Sequence, residues 1–411
     1  MINKQVILNK LDYILVFLFI NLSGNVFFME LNYSVSCIMI FFLTLLVFCY
    51  KNNFKIWIDI NTMYFIILGI MFILIPMVVY KDSPSSYIAL SLQMIIAFMG
   101  SKIMDFRRFV TVFINIMLFL SVISLICFFL YQVYPQIALF FPMTPAIASV
   151  NYYNAGLYVF QELVGYGRFV ATTRNNGVFW EPGAYQAFLN TCLVFFLHFK
   201  YNDSKEKYVK TKTIILIITI LTTFSSNAYI LLAVILITYS KKIFKMRYNT
   251  FLLLIIGMIA VALFAIFTGV LETAMVKMFN KFYTEFSNGM QGATIRISLD
   301  KIHYLWSEGN LYFWGMSFGR YVEIGESCWN SVIHTALTLG IPFTIMMIYG
   351  YYKFSKIFKA NFLTIFIVLI FSFFTETLFW RPLFLLMIFY GIKKRKDIDY
   401  ENIMANKYNI T

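Results

Sequence analysis

Runs of apolar residues recur along this chain from Leu11 to Tyr390, and many are long enough to cross a hydrocarbon core of about 30 Å. Inside lipid every backbone N–H and C=O must find its partner within the protein, so such runs are expected to be helices. Of the 411 residues, 61% are hydrophobic and only 13% are charged, which excludes an ordinary soluble domain. The expected class is therefore an all-α polytopic membrane protein, residues 1–411 forming a single transmembrane domain. The net charge of +14 would suit a nucleic-acid binder. Its lysines and arginines, however, stand in short clusters between apolar spans, the pattern of cytoplasmic flanking charge, so no nucleic-acid partner is expected. Cys37, Cys49, Cys127 and Cys192 lie in or beside apolar runs and Cys328 stands alone, so neither a disulfide framework nor a zinc site follows. Residues Met1 to Lys10 are basic and lead into an apolar span without a small-residue cleavage site, so this segment reads as retained.

The basic clusters set the topology. Spans are expected at 11–28, 34–50, 62–80, 87–103, 109–131 and 178–199. The stretch 213–240 has lysines on both flanks, Lys205 to Lys212 before it and Lys241 to Arg247 after it. A single helix would strand one cluster outside, so a hairpin turning at Ser225-Ser226-Asn227 is expected. The same argument divides 361–392, with the turn near 376–382, where Glu376 and Arg381 read as hairpin anchors. Spans at 251–271 and 331–352 bring the total to about twelve transmembrane helices, with both termini cytoplasmic. This arrangement keeps about 24 of the 33 lysines and arginines inside. Most of the others fall in two long extracytoplasmic loop regions, 132–177 and 272–330, where cations are on the disfavoured side and call for an explanation.

The second loop region holds two helical patterns. Met275, Met278, Phe279, Phe282 and Phe286 recur on one face with Lys277 and Lys281 on another, as in a helix lying on the membrane surface. Further on, Ile295, Leu299, Ile302 and Trp306 form an apolar stripe, and Arg296, Asp300, His303 and Ser307 a polar one beside it. The plain alternative for that polar stripe is a solvated face with one Arg296–Asp300 pair. The first loop region is rich in aromatics, among them Tyr134, Phe140, Tyr152, Tyr153, Tyr158, Phe160 and Tyr166. They suit either sugar stacking or an interfacial aromatic belt. It ends on Arg174-Asn-Asn-Gly-Val-Phe-Trp-Glu-Pro-Gly-Ala-Tyr185. Pro182 suits the first turn of a helix, which puts Glu181 at or next to the N-cap and near the positive end of the dipole. A cation and an anion are thus held at the mouth of a membrane helix.

The segment Arg174-x-x-Gly177-x-Phe179-x-Glu181-Pro182 resembles a signature of the O-antigen polymerase and ligase superfamily, the Wzy-type membrane glycosyltransferases. Two weaker matches follow in the same order: Arg296 with Trp306 and the Trp314-Gly315-Met-Ser-Phe-Gly319 run, then Asn330 ahead of Leu339-Gly340-Ile341. The resemblance covers roughly residues 168–342 and implies a GT-C-like fold in a bacterial cytoplasmic (inner) membrane. The His-Asn pair of the ligases is absent, since Trp329 precedes Asn330 and the nearest histidine is His334. That departure favours a polymerase.

The implied reaction transfers a glycan from a polyprenyl diphosphate to the sugar end of another lipid-linked repeat unit, building O-antigen or capsular polysaccharide at the outer face. It needs no nucleotide, cofactor or metal. As the glycosidic bond breaks the diphosphate gains charge, and arginine, permanently charged and forked, suits that oxyanion. Arg174 and Arg296 are the expected catalytic cations. Arg168, Arg320, Asn330, His334, Tyr166 and Trp306 are candidates for substrate binding. The acceptor hydroxyl must lose a proton, and Glu181, Asp300 and His303 are the candidate bases. For each arginine the plainer role is a headgroup anchor, for Glu181 a helix cap, and for His334 a packed core histidine. Expected partners are the polyprenyl-diphosphate-linked glycan and the bilayer, with a chain-length regulator protein as a further candidate. Two alternatives remain open: a ligase handing finished glycan to another acceptor, and a lipid-linked oligosaccharide flippase. A flippase would carry charge at mid-span, whereas these spans are nearly charge-free.

Overall fold

Pro182, Pro84 and Pro382 each sit in the first turn of a helix, where a missing N–H costs nothing. The computed structural model describes residues 4–30, 33–52, 59–147, 150–163, 172, 174–201, 206–244, 313–323 and 330–393. In order, the helices are α1 (Lys4–Leu22), α2 (Val26–Glu30), α3 (Tyr33–Asn52), α4 (Ile60–Tyr80), α5 (Pro84–Ile103), α6 (Phe106–Val133), α7 (Pro182–Phe195), α8 (Val209–Thr222), α9 (Ser226–Phe244), α10 (Phe318–Glu323), α11 (Ser331–Leu339), α12 (Ile341–Ser355), α13 (Phe362–Thr375) and α14 (Pro382–Ile392). Among the described residues, five helical stretches are long and apolar enough to cross a membrane: Tyr33–Lys51, Ile60–Tyr80, Pro84–Ile103, Phe106–Val133 and Ile341–Thr375. The fold is a helical membrane bundle.

Helix α7 is buried along its whole length, so it is the axis about which the others pack. Its neighbours include α6, α8, α9 and α13. Below its last regular turn the chain widens into a π-helical turn, Phe196–Lys200. The expected turns at 225–227 and 376–382 are both present, as the breaks between α8 and α9 and between α13 and α14. The two breaks are tied together, because Asn227 Nδ2 donates to Thr375 Oγ1 at 3.0 Å.

Two expectations are corrected. The chain is not all-α: the first loop region folds into a three-stranded antiparallel sheet, β1 (Met143–Ile147), β2 (Val150–Asn154) and β3 (Val159–Leu163). Its β2–β3 turn is made by Asn154, whose Oδ1 accepts from Gly156 N at 2.8 Å, and by Gly156 itself at φ +80°. Alternation then sorts the side chains: Tyr152 and Val159 face the main core, while Tyr153 and Phe160 join Phe128, Tyr131 and Tyr158 in a second small core. Those aromatics are buried, and Tyr134 and Phe140 are the exposed ones. The second correction is that the expected span 331–352 is broken, into α11 and α12. Gly340 holds φ +89°, and an added Cβ would meet Trp314 backbone carbon at 2.6 Å.

Candidate active site

The Arg174–Tyr185 segment is fixed from three sides. Arg174 Nε donates to Thr223 O at 3.2 Å, and Asn175 N donates to Thr222 O at 2.9 Å, which seats the motif on the α8–α9 turn. Asn175 is fully buried, with Nδ2 donating to Thr222 Oγ1 at 3.0 Å and Oδ1 accepting from Gly177 N at 3.1 Å. Asn176 closes the turn by donating from Nδ2 to Phe179 O at 2.8 Å and Val159 O at 3.0 Å. Gly177 holds φ +57° with the Tyr185 ring 2.8 Å from where a Cβ would stand, so no side chain fits there. Trp180 N donates to Gly24 O at 3.2 Å, and Gln161 Nε2 to Trp180 O at 2.8 Å, which attach the segment to the end of α1 and to β3.

Glu181 occupies the N-cap of α7 in extended backbone, as the residue before a proline must. Its side chain makes no capping bond, so the plain role of helix cap is not the one it fills. Burial and then the nearby Glu181 charge push the Tyr152 hydroxyl up to about 12.

Two residues that the sequence suggested only as hairpin anchors lie against this segment. Glu376, 3% exposed, reaches the first turn of α7: a Cβ on Gly183 would overlap its Oε1 and come 2.8 Å from its Cδ. A carboxylate there lies near the positive end of the α7 dipole. Arg381, 8% exposed, stacks between Tyr33 at 4.7 Å and Trp180 at 5.7 Å, with Nε donating to Thr377 O at 3.1 Å. For Arg381 a signal was present in the sequence. Arg381-Pro382 repeats the charge-then-proline helix start of Glu181-Pro182 with the opposite sign.

Arg174 stands in the field of Glu181 and Glu376. Burial pulls its guanidinium below the usual arginine range, and Glu181 and Glu376 pull it back up. The site is thus a half-buried guanidinium with two carboxylates acting on it, at the start of a buried helix. Such a site can hold a phosphate oxyanion at the cation and accept a proton at a carboxylate.

Of the other expected residues, Arg320 lies over the Tyr80 ring at 5.7 Å. The start of α10 is held by Asp82, whose Oδ2 accepts from Gly319 N at 2.7 Å and from Tyr87 OH at 2.8 Å. Burial would raise Asp82, but these donors outweigh it and hold the carboxyl below its ordinary range. Asp82 had no signal in the sequence, since nothing local ties it to α10. Asn330 caps α11, accepting from Val332 N and Ile333 N at 3.1 Å each. His334 packs among Phe318, Tyr321 and Trp380, with ring centroids at 5.9, 4.7 and 5.2 Å. It therefore borders the 376–381 turn rather than the Arg174 motif. Arg168, Tyr166, Arg296, Asp300, His303 and Trp306, with the 275–286 helix pattern, lie outside the described residues. No family model matches the chain, and no curated protein matches it in sequence.

Proposed function

We propose that this chain is a membrane glycosyltransferase that polymerises polyprenyl-diphosphate-linked oligosaccharide repeat units at the outer face of the cytoplasmic membrane. The observation that carries the reading is the Arg174 guanidinium, half-buried at the mouth of α7 and acted on by Glu181 and Glu376, within the segment that resembles the Wzy-type signature. Arg174 grips the diphosphate of the donor. The acceptor hydroxyl attacks the anomeric carbon, the carbon–oxygen bond to the diphosphate breaks, and the electron pair leaves on the diphosphate oxygen. The hydroxyl proton passes to Glu181, whose side chain is not engaged in capping. Arg174 stabilises the charge that develops, which is worth most in a partly dry site. About twelve spans with cytoplasmic termini and a GT-C-like arrangement belong to the same proposal.

The order of helices supports the orientation. Lys51, Lys102, Arg108, Lys353 and Lys393 fall at the opposite ends of their helices from Arg174 and Glu376. A cysteine at Thr377 is expected to react with an impermeant thiol reagent added from outside, and one at Lys207 to stay protected. The reverse pattern contradicts the orientation.

Purified protein given purified lipid-linked repeat units tests the activity. Wild type is expected to yield a ladder of polymer. Glu181→Gln, which cannot serve as the base, is expected to fall by about 10²-fold or more while still folding. Full polymer from Glu181→Gln removes Glu181 from the mechanism. In cells, loss of the gene should leave single repeats; unattached full-length polymer would mean a ligase, and no outward-facing repeat a flippase.

A further inference from the structure

A cation is least welcome at the N-terminus of a helix, where the dipole is positive, yet Arg381 is the N-cap residue of α14. Its side chain is also taken out of water, at 8% exposure, and among the described residues it forms no ion pair. What holds it is neutral: Nε donates to Thr377 O at 3.1 Å, and the rings of Tyr33 and Trp180 stand 4.7 and 5.7 Å from the guanidinium. Those partners are themselves fixed. Tyr33 OH donates to Oε1 of the buried Gln93 at 3.0 Å, Trp180 N donates to Gly24 O at 3.2 Å, and Trp180 O accepts from Gln161 Nε2 at 2.8 Å. A permanently charged group is thus held in one place, beside the Arg174–Tyr185 segment, by separate parts of the chain. Buried charge is costly unless it is paired, so this arrangement calls for an anion from outside the described chain.

We propose that Arg381 is the cation of an oxyanion site that takes the phosphate group of a membrane lipid, either a polyprenyl diphosphate or the headgroup of an anionic phospholipid. A guanidinium grips two phosphate oxygens at once through its planar fork. Ring faces attract it without neutralising it, so the rings of Tyr33 and Trp180 steady the charge and leave it to the ligand. The N-cap position then changes its meaning. The dipole of α14, unfavourable for the arginine itself, favours the anion that the arginine binds. With a polyprenyl diphosphate, the site adds a second cation to the function proposed above and in that case rests on it. The site itself stands on the contacts of Arg381. A guanidinium that merely braced the 376–382 turn would add to stability, whereas one held against a dipole and out of water for a ligand would not.

The test uses the full chain in detergent. Farnesyl diphosphate and a short-chain phosphatidylglycerol are the probes, and farnesol is the control for the apolar tail. Arg381→Gln removes the charge and keeps a side-chain donor for Thr377 O. Without added lipid it is expected to melt no lower than wild type. It is expected to bind at least one of the two phosphate lipids about tenfold more weakly, with farnesol unchanged. Weakened farnesyl diphosphate assigns the site to the polyprenyl substrate, and weakened phosphatidylglycerol alone assigns it to the bilayer. A lower melting temperature with both affinities unchanged overturns the site and makes Arg381 a brace of its turn. Farnesol weakened as much as the phosphate lipids overturns it too, because the loss is then not one of charge. Where Arg381→Gln fails to fold, Arg381→Lys is read instead. It keeps the charge and loses the fork, so phosphate binding should still fall, and binding at wild-type strength overturns the site. Arg174→Ala losing farnesyl diphosphate while Arg381→Gln keeps both lipids overturns the Arg381 site and leaves the Arg174 reading intact. The reverse, with farnesyl diphosphate lost only in Arg381→Gln, sustains the site and takes the diphosphate away from Arg174.

Discussion

At the end of the bundle where α1 begins, Asp12 is gripped by Lys51 and by Arg108, the latter with its Nε 3.0 Å away, and Asp59 caps α4 while Lys102 approaches to 3.6 Å. At the end where α7 begins, Arg174 rests on a backbone carbonyl and Arg381 on a carbonyl and two aromatic rings. Charge has been brought out of water at both ends, but it is settled differently. Ion pairs at the first end cross-link α1, α3 and α6 by side-chain contact and leave the cations engaged. At the second end the hydrogen-bond and ring partners of each guanidinium are neutral and fix its position, while Glu181 and Glu376 act on Arg174 through their field. The contrast separates charges that hold a bundle together from charges held ready for a ligand.

That contrast can be broken by substitution. Asp12→Asn leaves Lys51 and Arg108 facing each other without their shared anion, and the cost of breaking a buried pair is about 3 kcal/mol. The expected result is a clearly lower melting temperature in detergent with turnover per folded molecule unchanged. A loss of turnover at unchanged melting temperature would mean that this end also takes part in chemistry. Gly177→Ala acts on the other end through the backbone. An alanine at φ +57°, with the Tyr185 ring in its path, is expected to cost about 1–3 kcal/mol. Because Gly177 closes the turn that carries Arg174, turnover should fall with it. Stability lost without turnover would show that the motif is only a joint. The smallest effect concerns Asn330. Its role as the α11 cap predicts that Asn330→Ala loses about 1 kcal/mol and keeps its turnover. A large drop in turnover at nearly unchanged stability would return Asn330 to the substrate site.

Much of this arrangement was legible in the sequence wherever a local rule decides it. Pro182 marks the start of α7, and lysines on both flanks of an apolar stretch force the breaks at 225 and 376–382. Where distant segments meet, local rules fall silent. Nothing near Gly183 announces that its missing side chain makes room for Glu376, and nothing near Asp82 announces Gly319. The sheet was missed for a related reason. By composition the aromatics of 150–163 suit either sugar stacking or an interfacial belt, and it is their alternation about the Asn154–Gly156 turn that makes them a hairpin. The span expected at 331–352 is divided at Gly340, whose φ of +89° separates α11 from α12.

The measurement that bears most directly on the contrast between the two ends is a paired lysine substitution. Arg174→Lys and Arg108→Lys each keep the positive charge and lose the planar fork. Both proteins should be purified, their melting temperatures recorded, and polymer formation from lipid-linked repeats followed under identical conditions. Arg174→Lys is expected to melt close to wild type and to lose activity by about 10²- to 10³-fold, the size of a lost contact to a developing oxyanion. Arg108→Lys is expected to keep its activity, since Lys51 still holds Asp12. Full polymer from Arg174→Lys, or equal losses in the two variants, would contradict the distinction between a binding end and a structural end.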